Sequence, residues 1–236
     1  LSADECSLYA QGRLTATMSS YDVSLPINNS MWRYQPGWEN DLRALSDTNN
    51  GDSDSVYRFN LCSHTGTYIE TAGHKLSGQP NLSDLDISAF TRQRCDLLWV
   101  RPDTQGCITL ATFEAALGDH VQPSETLGNL ILATGWSKYH SETHYLTQAP
   151  WFQAQLTDHL ATLPLGILGV DTPIIDNQQQ PYDPVRQLFE ANHQLLLLAP
   201  LKLPPDLPSG RYLLDCAPLN ITNVSAAPCR PVMTTD

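Results

Sequence analysis

The sequence predicts an α/β fold: a single domain around a mixed, largely buried β-sheet that is flanked by helices. After residue 90, short apolar runs of strand length recur along the chain, at 95–100, 129–134, 165–170, 193–199 and 211–217. Helix-compatible segments lie between these runs, and such alternation is typical of α/β proteins. The runs have no polar face, which indicates strands that are covered on both sides.

The first ninety residues contain fewer regular elements. Residues 1–20 show weak periodicity and are interpreted as an N-terminal arm, which leaves 21–236 as the domain. Residues 21–27 alternate between apolar and polar side chains, as a strand does. The polar, turn-rich stretch 31–55 is interpreted as a long surface loop, and 55–64 as the strand that follows it.

Three segments between the apolar runs carry helix signals. Residues 109–118 begin with a threonine cap and end at a glycine. Residues 149–163 have a composition that suits a helix. Residues 183–193 begin with an aspartate followed by a proline, the order that favours a helix start.

Composition narrows the classes of function. Lys plus Arg number 13 and Asp plus Glu 25, so the formal charge is −12, which argues against binding to nucleic acids or anionic membranes. No apolar run is long enough for a transmembrane helix. Six scattered cysteines without a CxxC pair are interpreted as buried thiols, which favours a cytoplasmic location and leaves a secreted or periplasmic one open.

The segment 64–74, HTGTYIETAGH, is the strongest candidate for a site. Its side chains with metal-binding or acid–base chemistry are His64, Tyr68, Glu70 and His74. In an extended chain these ten residues would span about 33 Å, far too long for one metal site. The chain must therefore turn if they are to converge, and Gly66 and Gly73 are where it most easily could. A convergent cluster of histidines and a carboxylate would suit a first-row metal ion.

Other motifs are absent or ambiguous. The sequence lacks GxGxxG, GxxxxGK[ST] and GxSxG patterns, so nucleotide binding and a nucleophile-elbow serine hydrolase have no support. Trp32, Tyr34 and Trp38 are aromatic residues in an otherwise polar loop. They either pack the loop against the domain or form the wall of a pocket for a flat substrate.

The segment 64–74 also matches a family signature, His-x-Gly-Thr-His-x-Asp-x-Pro-x-His. Four other segments match in the family's order: YDVSLPINNSMWRYQPG from residue 21, LILATGW from 130, GILGVDTPIID from 166, and CAPLNITNVSAAPCRPV from 216. The chain resembles the cyclase-like metal-dependent hydrolases, which include bacterial kynurenine formamidase and isatin hydrolase. The resemblance covers most of residues 20–233.

The resemblance implies metal ligands at His64, Tyr68 and Glu70, with His74 acting beside the metal. Two positions depart from the signature, since Tyr68 stands where the second histidine belongs and Glu70 replaces the aspartate. A phenol is a costly ligand, because its ordinary pKa is near 10. The site therefore resembles a degenerate version of the family's metal site.

A later His and Glu, twelve residues apart, complete a second metal position in the family. By a gap-free alignment they fall on Arg186 and Leu198. Arg186 is accordingly expected in the substrate pocket, where its charge would repel a second divalent ion. The expected cofactor is one divalent ion, zinc or manganese, or none if the site is silent.

The resemblance implies a hydrolase or cyclase that acts on a small aromatic amide, lactam or related carbonyl compound, with His74 and Glu70 as catalytic residues. One alternative is a catalytically silent member that binds a small ligand or a protein. Another is metal-free acid–base chemistry by Glu70, His74 and Arg186. The family also implies a homodimer or a larger homo-oligomer.

Overall fold

The computed structural model describes residues 18–118, 127–179 and 181–235. Its α-helices are α1 Leu110–Gly118, α2 Ala154–Thr162 and α3 Pro184–Ala191. Its strands are β1 Ser20–Asp22, β2 Asp41–Ser46, β3 Val56–Asn60, β4 Tyr68–Glu70, β5 Gln93–Trp99, β6 Cys107–Ile108, β7 Asn129–Ala133, β8 Trp151–Phe152, β9 Ile167–Val170, β10 Leu196–Ala199, β11 Gly210–Asp215, β12 Ala226–Pro228 and β13 Val232–Thr235.

Nine of these strands form one mixed sheet, in the order β1-β13-β11-β5-β7-β9-β10-β4-β12. The four central strands β5, β7, β9 and β10 run parallel to their neighbours within this group. The strands on either side pair antiparallel. The predicted mixed sheet is therefore confirmed.

The sheet buries apolar side chains on both of its faces. Along β7, Leu130 belongs to one hydrophobic cluster and its neighbour Ile131 to the other, as expected for side chains that alternate across a strand. The helices cover the first face, where they contribute Phe113, Leu156 and Phe189 to the cluster. This double burial explains why the strand sequences lack a polar side.

The helix signals at 183–193 are confirmed, since α3 begins at Pro184 and the side chain of Asp183 accepts the backbone N–H of Arg186. The helix predicted over 149–163 is shorter than expected, because β8 precedes α2. No helix within the described residues is long and apolar enough to cross a membrane.

The predicted loop over 31–55 contains a strand, which is a correction to the sequence interpretation. Residues of β2 pair antiparallel with β3 in a separate two-stranded hairpin. The sequence DLRALS hides this strand because its alternation of polar and apolar residues breaks at Leu45, where the pairing with β3 is irregular. Of the predicted arm, residues 1–17 lie outside the described part of the chain, and Ser20 already pairs with Thr234 in the sheet.

The described cysteines are free thiols at positions 62, 95, 107, 216 and 229. Burial raises the pKa of the Cys95 and Cys216 thiols to about 12. These two thiols therefore stay protonated at neutral pH, and they fit the interpretation of buried, inert cysteines.

A buried carboxylate ties the ends of two central strands together. Asp171 follows β9, and its Oδ1 accepts both the backbone N–H and the hydroxyl of Thr134 after β7. Its Oδ2 accepts the backbone N–H groups of Gly135 and Trp136. Burial raises the pKa of Asp171, while these four hydrogen bonds act to lower it. The segment after β9 is thereby fixed where it borders the main cavity described below.

We expect Asp171→Asn to lower the free energy of unfolding by about 2–4 kcal/mol, because the amide NH₂ would face N–H donors. Urea denaturation measures this loss. The matched control is Asp206→Asn, at an exposed aspartate. Equal stability of the two variants would contradict the role assigned to Asp171.

Candidate active site

The segment 64–74 turns as its glycines predict. Gly66 has a φ of 68°, and a Cβ at this position would lie 2.6 Å from Cγ1 of Ile27, so both backbone conformation and space favour glycine. The chain then enters β4, and a 3₁₀ turn over Ala72–His74 follows. The Thr71 side chain accepts the N–H of Gly73 and caps this turn. The two ends of the segment are thereby brought together.

Three side chains of this segment converge. Nε2 of His64 lies 3.0 Å from Oε2 of Glu70, and Nε2 of His74 lies 3.8 Å from the same oxygen. The three potential ligand atoms all lie within 4.8 Å of one another. Nδ1 of His64 pairs with the Ser63 hydroxyl at 2.8 Å, which orients the ring. Burial lowers the pKa of His74, an effect that the nearby Glu70 partly offsets.

This donor set fits one divalent ion. Metal bonds to histidine and carboxylate are about 2.0–2.2 Å long, so two ligands of one tetrahedral ion lie about 3.4 Å apart. The ligand atoms of His64, Glu70 and His74 lie within 4.8 Å of one another, so the most distant pair would have to approach by up to about 1.4 Å. Two histidines and a carboxylate are also a common ligand set of catalytic zinc.

Tyr68 lies beside the three donors with its hydroxyl already engaged. Its ring centroid is 4.4 Å from that of His64, and its hydroxyl is 2.9 Å from the hydroxyl of Tyr34. Because Tyr34 donates its only proton to the carbonyl of Pro173, Tyr68 must be the donor to Tyr34. Burial raises the pKa of both phenols well above the ordinary value. The phenol of Tyr68 is therefore neutral here.

A cavity of about 320 Å³, which we call the main cavity, opens onto these groups. Residues at its wall include Tyr34, Trp38, His64, Tyr68, Glu70, His74, Lys75, Asp176 and Val185. Of the three aromatic residues predicted for the pocket, Tyr34 and Trp38 line it. Trp32 does not line it and instead packs edge-on against Tyr34 and Tyr145. Trp32 therefore helps to pack the loop, while Tyr34 and Trp38 form part of the cavity wall.

Arg186 and Leu198 do not line the main cavity, which corrects the expectation for Arg186. The guanidinium of Arg186 is half exposed and pairs with Asp183 and Glu190. Val185, one residue before Arg186, lines the main cavity, and Leu197, one residue before Leu198, lines a smaller cavity beside Glu70. One step along the chain rotates a helix position by about 100° and turns a strand position to the opposite face. Arg186 and Leu198 therefore do not share the cavities that their neighbours line.

Sequence reasoning missed Lys75 and Asp176, which also line the main cavity. Nζ of Lys75 lies 3.0 Å from the Asp183 carboxylate at the start of α3. Lys75 directly follows the signature segment, which ends at His74. This adjacency could have indicated that Lys75 lies near the site. Asp176 gave none, because its position depends on the loop after β9.

Comparisons with known proteins identify the family of the chain. The family model described as "Putative cyclase" matches residues 21–177, so the chain belongs to the Cyclase family. A kynurenine formamidase from Polaromonas naphthalenivorans is 26% identical over 186 residues, which are 76% of this chain and 74% of the formamidase.

Solved structures share the fold. Isatin hydrolase A from Ralstonia solanacearum superimposes with a TM-score of 0.77 at 16% identity, covering 100% of this chain and 98% of the other. A predicted metal-dependent hydrolase from Bacillus stearothermophilus gives a TM-score of 0.75 at 21% identity, covering 94% and 100% of the two chains. At these identities the likeness shows the fold.

We expect Gly66→Ala to destabilise the protein by roughly 2–3 kcal/mol, because a side chain at this φ is strained and would also collide with Ile27. Gly78→Ala is the matched control, since Gly78 has a φ of 79° and open space around its Cβ position. Gly78→Ala should lower the free energy of unfolding by only about 1 kcal/mol, because it adds the backbone strain without a collision. Thermal and urea unfolding compare the two, and equal losses would show that Ile27 leaves room for a methyl group.

Proposed function

We propose that the protein is a metal-dependent hydrolase with a single divalent ion, which cleaves the amide or lactam bond of a small aromatic compound. The observation that carries this proposal is the convergence of His64, Glu70 and His74 within 4.8 Å at the wall of the main cavity. Such an ion, zinc or manganese, would polarise the substrate carbonyl and lower the pKa of a bound water.

In this proposal His64, Glu70 and His74 hold the ion, and a fourth position is left for water or substrate. Tyr68 is then not a ligand, because its neutral hydroxyl is held by Tyr34. His74 is then a ligand, whereas the family resemblance implied a catalytic residue that acts beside the metal.

Glu70 has a second role in the proposed reaction. A carboxylate offers two oxygens, so Glu70 would hold the ion with one oxygen and would accept a proton from the attacking water with the other. The same proton then passes to the leaving nitrogen. Tyr68 has unused lone pairs on its hydroxyl oxygen, which orient the water or a substrate N–H.

The substrate class follows from the wall of the main cavity and from the relatives. Tyr34 and Trp38 form an aromatic side of the cavity, against which a flat ring packs favourably. The volume of about 320 Å³ suits a small molecule. The relatives include a kynurenine formamidase and isatin hydrolases. Their names indicate substrates with a carbonyl next to an aromatic amine.

We expect turnover of N-formylkynurenine or isatin that is abolished by a chelator and restored by added zinc or manganese. Glu70→Gln should lower kcat/KM at least about 100-fold, because the amide is a weak ligand and cannot accept the proton. His193→Ala, at an exposed histidine outside the site, is the control and should retain activity.

Two other results would each favour a different function. Turnover that survives the chelator and is lost in Glu70→Gln would indicate metal-free acid–base catalysis. A protein that binds no ion and hydrolyses neither compound would be a silent binding member of the family.

We also propose that the protein forms a homodimer through the hairpin of β2 and β3. All five residues of β3 are exposed, and Tyr57 and Phe59, on one side of the strand, are 55% and 66% exposed. Their cross-strand partners are Ala44 and Leu42, so this side of the hairpin is apolar. A lone two-stranded hairpin is at best marginally stable in water, and a second copy of the same hairpin would cover it.

Phe59→Glu should therefore reduce the molecular mass measured by sedimentation to that of one chain, because a carboxylate would be buried in the interface. Ile87→Glu replaces another exposed apolar residue, 62% exposed and outside the hairpin, and should not change the mass. A wild-type protein that sediments as a single chain would overturn the dimer.

A further inference from the structure

A second, smaller cavity lies beside Glu70, on a side that neither histidine lines. Its volume is about 40 Å³. We call it the apolar slot. Its wall includes Tyr68, Glu70, Val170, Val185, Leu197 and Ala199. Apart from Tyr68 and Glu70, every residue at its wall is apolar.

The apolar character of the slot follows from two elements of the fold. Leu197 and Ala199 point to the same side of β10, while Leu198 between them belongs to the hydrophobic cluster on the other face of the sheet. Val185 completes the wall from the first turn of α3. Because eight of the ten residues at its wall are apolar, water in the slot would find side-chain partners only at Glu70 and Tyr68, so the slot favours an apolar group.

The slot and the main cavity meet at Glu70. Six residues line both spaces: Tyr68, Glu70, Pro173, Ile174, Ile175 and Val185. The carbonyl carbon of a substrate bound next to the three donors carries two substituents. The two cavities that could receive them differ about eightfold in volume, 320 against 40 Å³. The larger aromatic substituent fits only the main cavity, next to Tyr34 and Trp38. The slot is left for the smaller one.

We infer that the apolar slot binds the alkyl group of the acyl half of the substrate. This inference rests on the proposed function and refines its substrate class to N-aryl amides with a short, straight acyl chain. One water molecule needs about 10–15 Å³ of cavity volume. The slot, at about 40 Å³, therefore holds about three groups of that size. The slot therefore takes two or three carbons beyond the carbonyl.

The proposed reaction is the hydrolysis of an amide by one water molecule. The bond between the carbonyl carbon and the nitrogen breaks, and the oxygen of water bonds to the carbonyl carbon. The nitrogen leaves with a proton from the water as an aromatic amine, and the acyl half leaves as a short-chain carboxylic acid. No oxidant or reductant takes part.

The first test measures kcat/KM for anilides with acyl chains from formyl to hexanoyl. Each variant is compared with the wild type on the same substrate, so differences in the intrinsic reactivity of the anilides cancel. Ala199→Val narrows the slot and should reduce the butyryl-to-formyl ratio of kcat/KM at least about fourfold, the value of one buried methylene. Leu197→Ala widens the slot and should move the optimum to longer chains.

The matched control is Leu198→Ala. Leu198 is buried in the same strand but points to the opposite face of the sheet, so its loss should lower stability and leave the chain-length profile unchanged. Profiles that shift equally in Leu197→Ala and Leu198→Ala would overturn the inference, since the shift would then reflect a loosened fold.

A binding measurement separates the slot from the proposed reaction. Straight-chain hydroxamic acids of one to six carbons are titrated calorimetrically into the zinc-treated protein and into Ala199→Val. An affinity optimum near three or four carbons that is lost in Ala199→Val supports the slot even if no anilide is hydrolysed, in which case the proposed function fails alone. Hydrolysis with flat chain-length profiles would overturn the slot alone, and absence of both binding and hydrolysis would overturn both.

Discussion

The position of β4 between β10 and β12 is the constraint on which the candidate site depends. Glu70 lies opposite Leu197, and Ile69 lies opposite Leu198. Ile69 and Leu198 therefore fill the hydrophobic core on one face of the sheet, while Glu70 and Leu197 face the cavities on the other. A slip of one residue would bury the carboxylate in the apolar core. The turn at Gly66 then places His64 within 3.0 Å of that carboxylate.

The site has a polar part that could hold an ion and an apolar part that includes Val185 and Leu197. Neither side chain can bind a metal, and the cluster of three donors found among the described residues lies within the signature segment. On the other side of Glu70, the Tyr68 hydroxyl is held in a hydrogen-bonded chain that ends at the Pro173 carbonyl. In our account, polar groups hold one ion and the adjacent apolar wall selects the substrate by size.

Much of the fold could be predicted from the sequence, because apolar runs and helix caps are local signals. The central strands and the start of α3 at Pro184 are examples. The convergence of the signature segment was also predictable from Gly66. The hairpin strand β2 was missed because its alternation breaks at Leu45. Arg186 was misplaced because the direction of a side chain on α3 depends on how the helix packs. Pairing of Tyr68 with Tyr34, 34 residues apart, depends on tertiary packing and had no sequence signal.

The most direct test of the central claim is anomalous diffraction at the zinc edge from crystals soaked in zinc. The account predicts one peak per chain, within bonding distance of His64 Nε2, Glu70 and His74 Nε2, with the Tyr68 hydroxyl still on Tyr34. Two peaks about 3–4 Å apart, or one peak bonded to the Tyr68 oxygen, would contradict it.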